Sequence, residues 1–311
     1  MPAFVRFTIM GASQMNNSAP DANAYRVDKK RMSTSFGAAA TSYDQVAVLQ
    51  REVAKRLADR LDLIKIEPLR ILDAGSGTGY CSGLLAQRYP KARVVALDIA
   101  YGMLQTARGK LSWWERLRGR QAHVCGDIES LPLADASVDM VFSSLAIQWC
   151  HDLDSAMREF RRVLKPGGLV MFATLGPDTL RELRASWAAA DSHTHVSLFI
   201  DMHDIGDALM RAGFADPVMD AEHFTLTYPD ANLLMRDLKQ LGSRNATAGR
   251  APGLTGKGKL NVMRAAYERF RRDGHLPATY EVAYGHAWTP MAPAPSVGMG
   301  KPFPVAVKTV K

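Results

Sequence analysis

Three glycines alternate with small polar residues in the stretch ILDAGSGTGY, residues 71–80. Gly75, Gly77 and Gly79 remove the side chain at every second position, so the backbone can approach a ligand closely. A dinucleotide fingerprint has the spacing G-x-G-x-x-G, and the third glycine comes one residue too early here. The phosphate-binding pattern G-x-x-x-x-G-K-[ST] does not occur in the sequence either. The loop therefore indicates a nucleoside ligand without a pyrophosphate.

Acidic residues end the next two apolar runs. Asp98 closes the run RVVALD, nineteen residues beyond Gly79, close to the ~20 expected of an acid that accepts hydrogen bonds from ribose hydroxyls. Asp127 closes the run AHVCGD, and residues 143–149 follow a fourth run. Ligands of open parallel sheets bind beyond the carboxyl ends of the strands. These positions therefore predict a nucleoside pocket at one edge of a sheet.

Segments of strand type and helix type alternate along the chain. Five apolar runs of strand length lie within residues 69–175, with helical segments between them. Two further runs with strand alternation follow at residues 222–228 and 277–288. This order predicts an α/β fold with a doubly wound, Rossmann-like sheet of seven mostly parallel strands. We expect residues 229–276 to form a helical insertion before the last strand and to act as a substrate lid.

The two ends of the chain differ in composition from its middle. Residues 1–35 are rich in small polar residues and residues 290–311 in proline, so we expect a disordered leader and tail around one domain, residues 36–289. The leader lacks the apolar core and cleavage site of a secretory signal. No apolar run approaches the ~18 residues of a membrane span. Three scattered cysteines without C-x-x-C spacing favour the reducing cytoplasm.

Four motifs together resemble the class I S-adenosylmethionine-dependent methyltransferases: LDAGSGTG, the acid of ALD, GDIESLPL and LKPGG. The resemblance implies S-adenosyl-L-methionine as the cofactor, with the glycine loop around its methionine part and the acid of the second strand on its ribose. The residues after the third strand would flank the adenine. The cofactor-binding residues implied in this way are Asp73, Gly75, Gly77, Gly79, Asp98, Asp127, Ile128 and Leu145.

Longer stretches resemble a narrower family. SFGAAATSYDQVAVLQREVAKRLADRL, SSLAIQWCHDLDSAMREFRRVLKPGG, TLGPDTLRELRASWAAAD and PATYEVAYGHAW are similar to the malonyl-acyl-carrier-protein O-methyltransferases of biotin synthesis, the BioC family. The likeness covers residues 36–288. It implies methylation of the free carboxylate of malonyl-acyl carrier protein, or of malonyl-CoA, early in the synthesis of the pimeloyl moiety of biotin.

Two other functions stay open, because a fold does not fix the chemistry. One is methylation of another small acceptor, such as a quinone precursor. The other is a hydroxylase or assembly factor, because an assembly factor of respiratory complex I that hydroxylates an arginine shares part of the C-terminal pattern.

The implied reaction needs no general base, because free carboxylic acids titrate near pH ~4 and are ionised at neutral pH. Alignment of the reacting atoms and removal of water can supply the catalysis. We therefore assign no catalytic residue and expect residues that hold the substrate. Gln148 and Trp149 lie just beyond the fourth strand, where a methyl acceptor would enter.

Two further residues are candidates for binding a ligand, but each can equally have a structural role only. Tyr43 matches a position in the family's N-terminal segment, which resembles a lid over the cofactor, but it is equally an amphipathic packing residue. Arg250 lies in the matched part of the insertion. It would suit the malonyl carboxylate through a bidentate contact, and it is equally a surface arginine.

The charge of the chain indicates an acidic partner or none. The net charge is +8, from 39 Lys and Arg against 31 Asp and Glu, but no basic segment interleaves with aromatics as nucleic-acid modules do, so we expect no nucleic acid partner. Basic helical stretches at residues 158–165 and 264–272 would steer an acidic acyl carrier protein, unless they are simply solvated faces. We expect no functional metal, because a polar loop before a helix explains the histidine-rich residues 191–204.

Overall fold

The computed structural model describes residues 27–243 and 256–291. Its centre is one sheet whose strands span Arg70–Ala74 (β1), Arg93–Asp98 (β2), Gln121–Cys125 (β3), Val138–Ser144 (β4), Leu164–Leu175 (β5), Ala215–Tyr228 (β6) and Leu276–Trp288 (β7). They lie in the order β3-β2-β1-β4-β5-β7-β6. Neighbours from β3 to β5 pair in parallel, whereas β7 pairs antiparallel with β5 and with β6. The predicted seven-stranded, mostly parallel sheet is confirmed.

Eleven α-helices in these two segments surround the sheet. They span Lys29–Ala39 (α1), Tyr43–Val46 (α2), Val48–Asp59 (α3), Tyr80–Arg88 (α4), Tyr101–Lys110 (α5), Trp113–Arg118 (α6), Leu153–Val163 (α7), Arg181–Ala188 (α8), Met202–Arg211 (α9), Ala231–Gln240 (α10) and Lys257–Glu268 (α11). Helices α4 to α7 connect parallel strands as crossovers, which is the arrangement that the alternation of segments predicts.

Neighbouring residues of the central strands face two separate cores, because successive side chains of a strand point to opposite faces. On one face, Ile71 and Phe142 belong to a core shared with α3, α4, α8, α10 and α11. On the other face, Leu72 and Val141 belong to a core shared with α7 and α9. Both faces of the central strands are therefore covered, and a ligand can reach these strands at their ends.

The predicted helical insertion lies between β6 and β7, and its described part contains α10 and α11. Met263 and Tyr267 of α11 are fully buried. The Tyr267 hydroxyl donates a hydrogen bond to the carbonyl of Pro277 over 2.8 Å. These contacts fasten α11 to the last strand. Residues 244–255 of the insertion lie outside the described residues.

The predicted boundary of the leader is wrong for residues 29–35, which form most of α1. The side chain of Asp28 accepts a hydrogen bond from the N–H of Arg31 over 3.0 Å and so caps the start of this helix. Ser33 donates to the carbonyl of Ile99 over 3.0 Å, at the end of β2. Tertiary contacts therefore order a segment whose composition alone suggested disorder.

The remaining parts of the predicted leader and tail, residues 1–26 and 292–311, lie outside the described residues. Within the part of the chain that the structure does describe, no helix is both long enough and apolar enough to cross a membrane.

Candidate active site

A first cavity, with about 680 Å³ of empty space, opens at the carboxyl ends of β1, β2 and β4. Its walls come from the glycine loop, the ends of these strands, the loop after β3 and the inner face of α1. The predicted site residues among its lining are Tyr43, Gly75, Gly77, Asp98, Asp127, Ile128, Leu145 and Trp149. The structure therefore brings most of the predicted cofactor residues to one place.

The glycine loop packs directly against the loop that follows β4. Gly75 has a positive φ of 80°, a conformation that side chains other than hydrogen adopt rarely. A Cβ atom added to Gly75 would lie 2.2 Å from the Cβ of Ala146. Only glycine therefore fits here, and this close approach sets the position of one cavity wall against the other.

Asp98 fixes the same loop from the end of β2. Its Oδ2 accepts a hydrogen bond from the N–H of Gly77 over 2.8 Å, and its Oδ1 accepts from the N–H of Ala100 over 2.7 Å. Burial raises the pKa of Asp98 above its usual value, although these two hydrogen bonds lower it. Each carboxylate oxygen keeps a further lone pair that can accept a hydrogen bond from a ligand hydroxyl in the cavity.

Two of the predicted cofactor residues, Asp73 and Gly79, do not line the cavity. Asp73 is buried below the loop, where its Oδ2 accepts a hydrogen bond from the Ser82 hydroxyl over 2.6 Å. Its Oδ1 has no hydrogen-bond partner among the described residues. A Cβ atom on Gly79 would lie 2.9 Å from the Cβ of Ala107, so this glycine lets α4 and α5 approach each other. Both residues support the loop from behind.

The buried carboxyl group of Asp73 makes stability depend on pH. Burial raises its pKa from 3.8 to about 7, so the folded protein binds the proton more tightly than the unfolded chain does. The free energy of unfolding that Asp73 contributes therefore falls as the pH rises toward and through about 7. Asp73→Asn lacks this ionisable group. As the pH rises from about 4 to about 8, we therefore expect its free energy of unfolding to increase relative to that of the wild type, by at most about 4 kcal/mol. Urea denaturation at several pH values measures this difference.

Asp44 provides the control for that experiment. Although burial opposes the effect, hydrogen bonds from Lys110 and Thr78 lower the pKa of Asp44 below its usual value. Asp44→Asn should therefore lose stability relative to the wild type as the pH rises through the acid range. Equal pH slopes for the two variants would contradict this account of Asp73.

Helix α1 closes the first cavity. The sequence analysis expected a lid near Tyr43 but no helix at residues 29–35. The Lys29 ammonium pairs with the carboxylates of Asp127 and Glu129, at the start of the loop after β3. The Phe36 ring packs edge-on against Trp149, with 5.3 Å between ring centroids. The helix is therefore held over the cavity by an ion pair at one end and by an aromatic contact further along.

A sequence signal for α1 does exist. Asp28 is a residue type that caps helices, and Met32 and Phe36 follow it one turn apart. Both apolar side chains line the first cavity. The Ser-rich composition around them concealed this short amphipathic pattern.

A second cavity, with about 780 Å³ of empty space, adjoins the first. Phe36, Tyr43, Leu145 and Trp149 line both cavities. We call these four residues the junction. Burial, with help from the negative charge of Asp98, raises the pKa of the Tyr43 phenol well above its usual value, so the phenol stays neutral. The junction is therefore mostly apolar, and it carries no charge at neutral pH.

Gln148 lies in the second cavity beside the junction. The hydroxyl of Thr174 donates a hydrogen bond to its Oε1 over 3.2 Å. Because the amide oxygen is engaged in this way, the NH₂ group of Gln148 remains available as a donor to a ligand.

His195 is one of four residues within the histidine-rich segment 191–204 that line the second cavity, and the sequence analysis did not select it. Its ring stacks on Trp187, with 3.8 Å between centroids, and its Nε2 lies 2.8 Å from Asp191 Oδ1. The ammonium of Lys259 lies 3.0 Å from the other oxygen of Asp191. The Lys259 ammonium thus balances the charge of this aspartate, and His195 lies within hydrogen-bonding distance of it. No motif in the sequence signalled the cavity position of His195.

About half of the basic residues predicted to steer a partner form ion pairs within the described residues. Arg162 contacts Glu159 and Asp135, and Lys165 contacts Asp139 over 2.6 Å. Helix α11 ends at Glu268, which forms an ion pair with Arg271. Three of the predicted arginines, at positions 269, 271 and 272, therefore lie beyond the helix. Arg250, the residue predicted for the malonyl carboxylate, lies outside the described residues.

Comparison with solved structures identifies the fold. Residues 72–172 match the family described as methyltransferase domain. A candidate methyltransferase from Bacillus halodurans C-125 superposes with a TM-score of 0.53 at 21% identity, over 75% of this chain and 98% of that chain. The YcgJ protein of Bacillus subtilis gives a TM-score of 0.53 at 15% identity, over 75% and 97% of the two chains.

Comparison with curated proteins identifies the family. The malonyl-[acyl-carrier protein] O-methyltransferase of Methylovorus sp. (strain MP688) is 58% identical over 273 residues, which cover 87% of this chain and 92% of the relative. The protein of the same name from Gallionella capsiferriformans (strain ES-2) is 56% identical over 270 residues, 86% and 93% of the two chains. This chain belongs to the malonyl-[acyl-carrier protein] O-methyltransferase family. The predictions of an enzyme with a class I methyltransferase fold and S-adenosyl-L-methionine as cofactor are confirmed.

Proposed function

We propose that this enzyme transfers a methyl group from S-adenosyl-L-methionine to the free carboxylate of malonyl-acyl carrier protein and forms the methyl ester used in biotin synthesis. The observation that carries this proposal is the pair of adjoining cavities with a shared, uncharged junction. One cavity suits a nucleoside cofactor, and the other suits an acyl group that arrives from a different side. The names of the relatives supply the identity of the acyl group.

The first cavity fits the cofactor by its shape and by the residues that line it. Gly75 forms a cradle that a Cβ atom would fill, as required for close approach of the methionine part. In this proposal the Asp98 carboxylate accepts hydrogen bonds from the ribose hydroxyls. Asp127 and Ile128 flank the adenine. Leu145 lies against the cofactor at the junction. Asp73, Gly77 and Gly79 shape the loop, and Tyr43 covers it.

The junction supplies the catalysis by position and by exclusion of water. S-adenosyl-L-methionine, when bound, would supply a methyl group on a positively charged sulfonium for transfer to the carboxylate oxygen, and a neutral thioether would be the other product. No proton is transferred, so the neutral Tyr43 phenol need not act as an acid or base. Phe36, Leu145 and Trp149 keep water from the carboxylate, and opposite charges attract more strongly in such surroundings.

Gln148 holds the malonyl carboxylate through its NH₂ group. Because Thr174 fixes the amide, we expect Gln148→Leu to raise the KM for malonyl-acyl carrier protein by about tenfold, the equivalent of one lost hydrogen bond to a charged group. The affinity for S-adenosyl-L-methionine should not change. Steady-state kinetics with varied carrier substrate measure the effect.

Gln50 is the matched control, since it also lines the second cavity but lies on α3 rather than beside the end of β4. Gln50→Leu should change the KM by less than about threefold. A larger effect at Gln50 than at Gln148 would contradict the assignment. The predictions that Arg250 pairs with the same carboxylate and that residues 229–276 form the lid are retained in this proposal.

The partner is an acyl carrier protein, with malonyl-CoA as the alternative donor of the malonyl group. No nucleic acid or membrane takes part in the proposed reaction. The free cysteines Cys81, Cys125 and Cys150 support a location in the reducing cytoplasm.

A comparison of four methyl acceptors tests the proposed function. Release of S-adenosylhomocysteine is measured with malonyl-acyl carrier protein, acetyl-acyl carrier protein, malonyl-CoA and a phenolic quinone precursor. We expect turnover with the malonyl carrier and none with the acetyl carrier, which has no free carboxylate. Turnover with the phenol alone would identify a methyltransferase for another small acceptor. Cofactor binding without turnover on any acceptor would favour the hydroxylase or assembly role.

A further inference from the structure

A basic groove lies between α1 and α10, outside the second cavity. It contains about 880 Å³ of empty space. On the α1 side its lining consists of small side chains, and on the α10 side it consists of long polar ones. The residues of the groove are Thr34, Ser35, Ala38, Ala39, Ser42, Arg236, Lys239 and Gln240.

The two cations of the groove form no ion pair with the described residues. Arg236 and Lys239 lie one turn apart on α10 and therefore share a face, and neither pairs with a carboxylate within residues 27–243 and 256–291. This sets them apart from Arg162, Lys165 and Arg271, whose charges are balanced inside the protein. Their charges are free to meet an acidic partner.

The groove is continuous with the wall of the second cavity. Leu238 and Leu241 of the α10 region line that cavity, as does Phe36 of α1. A Cβ atom on Gly242 would lie 3.1 Å from the Cδ1 of Phe36. The same two elements therefore present a basic outer face to the groove and an apolar inner face to the second cavity.

We propose that this groove is the docking surface for the acidic acyl carrier protein, an inference that rests on the proposed function. Carboxylates of a carrier helix and the phosphate of its phosphopantetheine arm meet Arg236 and Lys239. The small side chains of Ser35 and Ala38 let that helix approach α1 closely. A carrier seated here brings its phosphopantetheine arm close to the second cavity, whose lining includes Phe36 and Gln148, so that the malonyl group can enter that cavity.

Charge reversal tests the docking surface. The double variant Arg236→Glu/Lys239→Glu should raise the KM for malonyl-acyl carrier protein by about tenfold or more at low ionic strength, and added salt should shrink this difference. The turnover number and the affinity for S-adenosyl-L-methionine should stay within about twofold. The matched control is Arg269→Glu/Arg272→Glu, which reverses two charges of the alternative surface predicted from the sequence and should leave the KM nearly unchanged. A KM that rises only in the control variant would overturn the proposal.

A binding measurement separates failure of the docking surface from failure of the proposed function. Fluorescence anisotropy is recorded with labelled holo-acyl carrier protein, which carries no malonyl group. Binding to the wild type and about tenfold weaker binding to Arg236→Glu/Lys239→Glu supports docking even if no methyl is transferred. Methyl transfer by the wild type together with equal binding by both proteins overturns docking and leaves the function intact.

A milder variant guards against misfolding. Arg236→Gln/Lys239→Gln removes the charges without reversing them and should weaken carrier binding by about half as much on a logarithmic scale. Its thermal unfolding temperature should match that of the wild type, because the two cations make no ion pair with described residues. Unchanged carrier binding, or stronger binding of the wild-type groove to RNA or anionic vesicles than to the carrier, overturns the proposal.

Discussion

Gly75→Ala is expected to weaken the binding of S-adenosyl-L-methionine by about 100-fold or more. The new Cβ atom would lie 2.2 Å from the Cβ of Ala146, and overpacking of this kind costs about 1–3 kcal/mol. A left-handed backbone at a residue with a side chain adds about 1–2 kcal/mol. The apo protein can relieve this strain by moving the two loops apart, but both line the first cavity, so a bound cofactor resists the movement. The strain therefore opposes binding, and about 2.7 kcal/mol corresponds to a 100-fold change. Isothermal titration calorimetry measures the affinity.

A second substitution distinguishes this contact from a general defect. Gly75→Ala/Ala146→Gly removes the atom that the new Cβ would strike and should recover about tenfold of the lost affinity, leaving only the backbone penalty. Gly83→Ala is the control, because that glycine lies in α4, away from the cavity, with nothing within 4 Å of a new Cβ. Its affinity should equal that of the wild type. A double variant as weak as Gly75→Ala would show that the contact with Ala146 does not shape the site.

Asp98→Asn is expected to weaken the binding of S-adenosyl-L-methionine by about 100-fold. An amide cannot accept hydrogen bonds on both sides, so one of the N–H groups of Gly77 and Ala100 would lose its acceptor. Loss of a buried partner of this kind costs about 1–3 kcal/mol. The proposed hydrogen bond to the ribose is weakened as well, because the charge is lost. Equilibrium binding by intrinsic fluorescence or calorimetry measures the loss.

The pH dependence of cofactor binding tests more specifically whether the ionised Asp98 carboxylate takes part. Burial raises the pKa of Asp98, and the ionised form is the one that accepts two hydroxyls. The affinity of the wild type should therefore fall as the pH is lowered toward this raised pKa, whereas the affinity of Asp98→Asn should vary less. Asp127→Asn is the control and should lose less than about tenfold, because Asp127 is partly exposed and pairs with Lys29. Equal losses at Asp98 and Asp127 would contradict the distinct roles assigned to them.

Much of the fold followed from the sequence because its signals are local. Buried strands such as β1 and β4 appear as apolar runs, and the glycine loop must follow a strand if its backbone is to face a ligand. Asp98 could be predicted for the same reason, since the end of β2 lies beside the end of β1 in any sheet with this order of segments. The cofactor cavity therefore contains most of the predicted residues.

The parts that sequence reasoning missed depend on contacts between distant segments. Helix α1 is ordered by Ser33 against the end of β2 and by Lys29 against the loop after β3, and neither contact leaves a periodic signal. The position of His195 depends on Trp187 and on the path of a loop. At residues 264–272, helix α11 ends at Glu268, so Arg269, Arg271 and Arg272 lie beyond it, a boundary that the charge pattern alone does not predict.

Intact-protein mass spectrometry of the carrier tests the central claim most directly. Malonyl-acyl carrier protein is incubated with this enzyme and with S-adenosyl-L-methionine whose methyl group carries deuterium, with acetyl-acyl carrier protein in parallel. A gain of one labelled methyl group on the malonyl form alone, removed again by an esterase, is the predicted result. No gain on the malonyl carrier, with calorimetry showing that the cofactor is bound, would contradict carboxylate methylation while leaving the fold and the cofactor cavity in place.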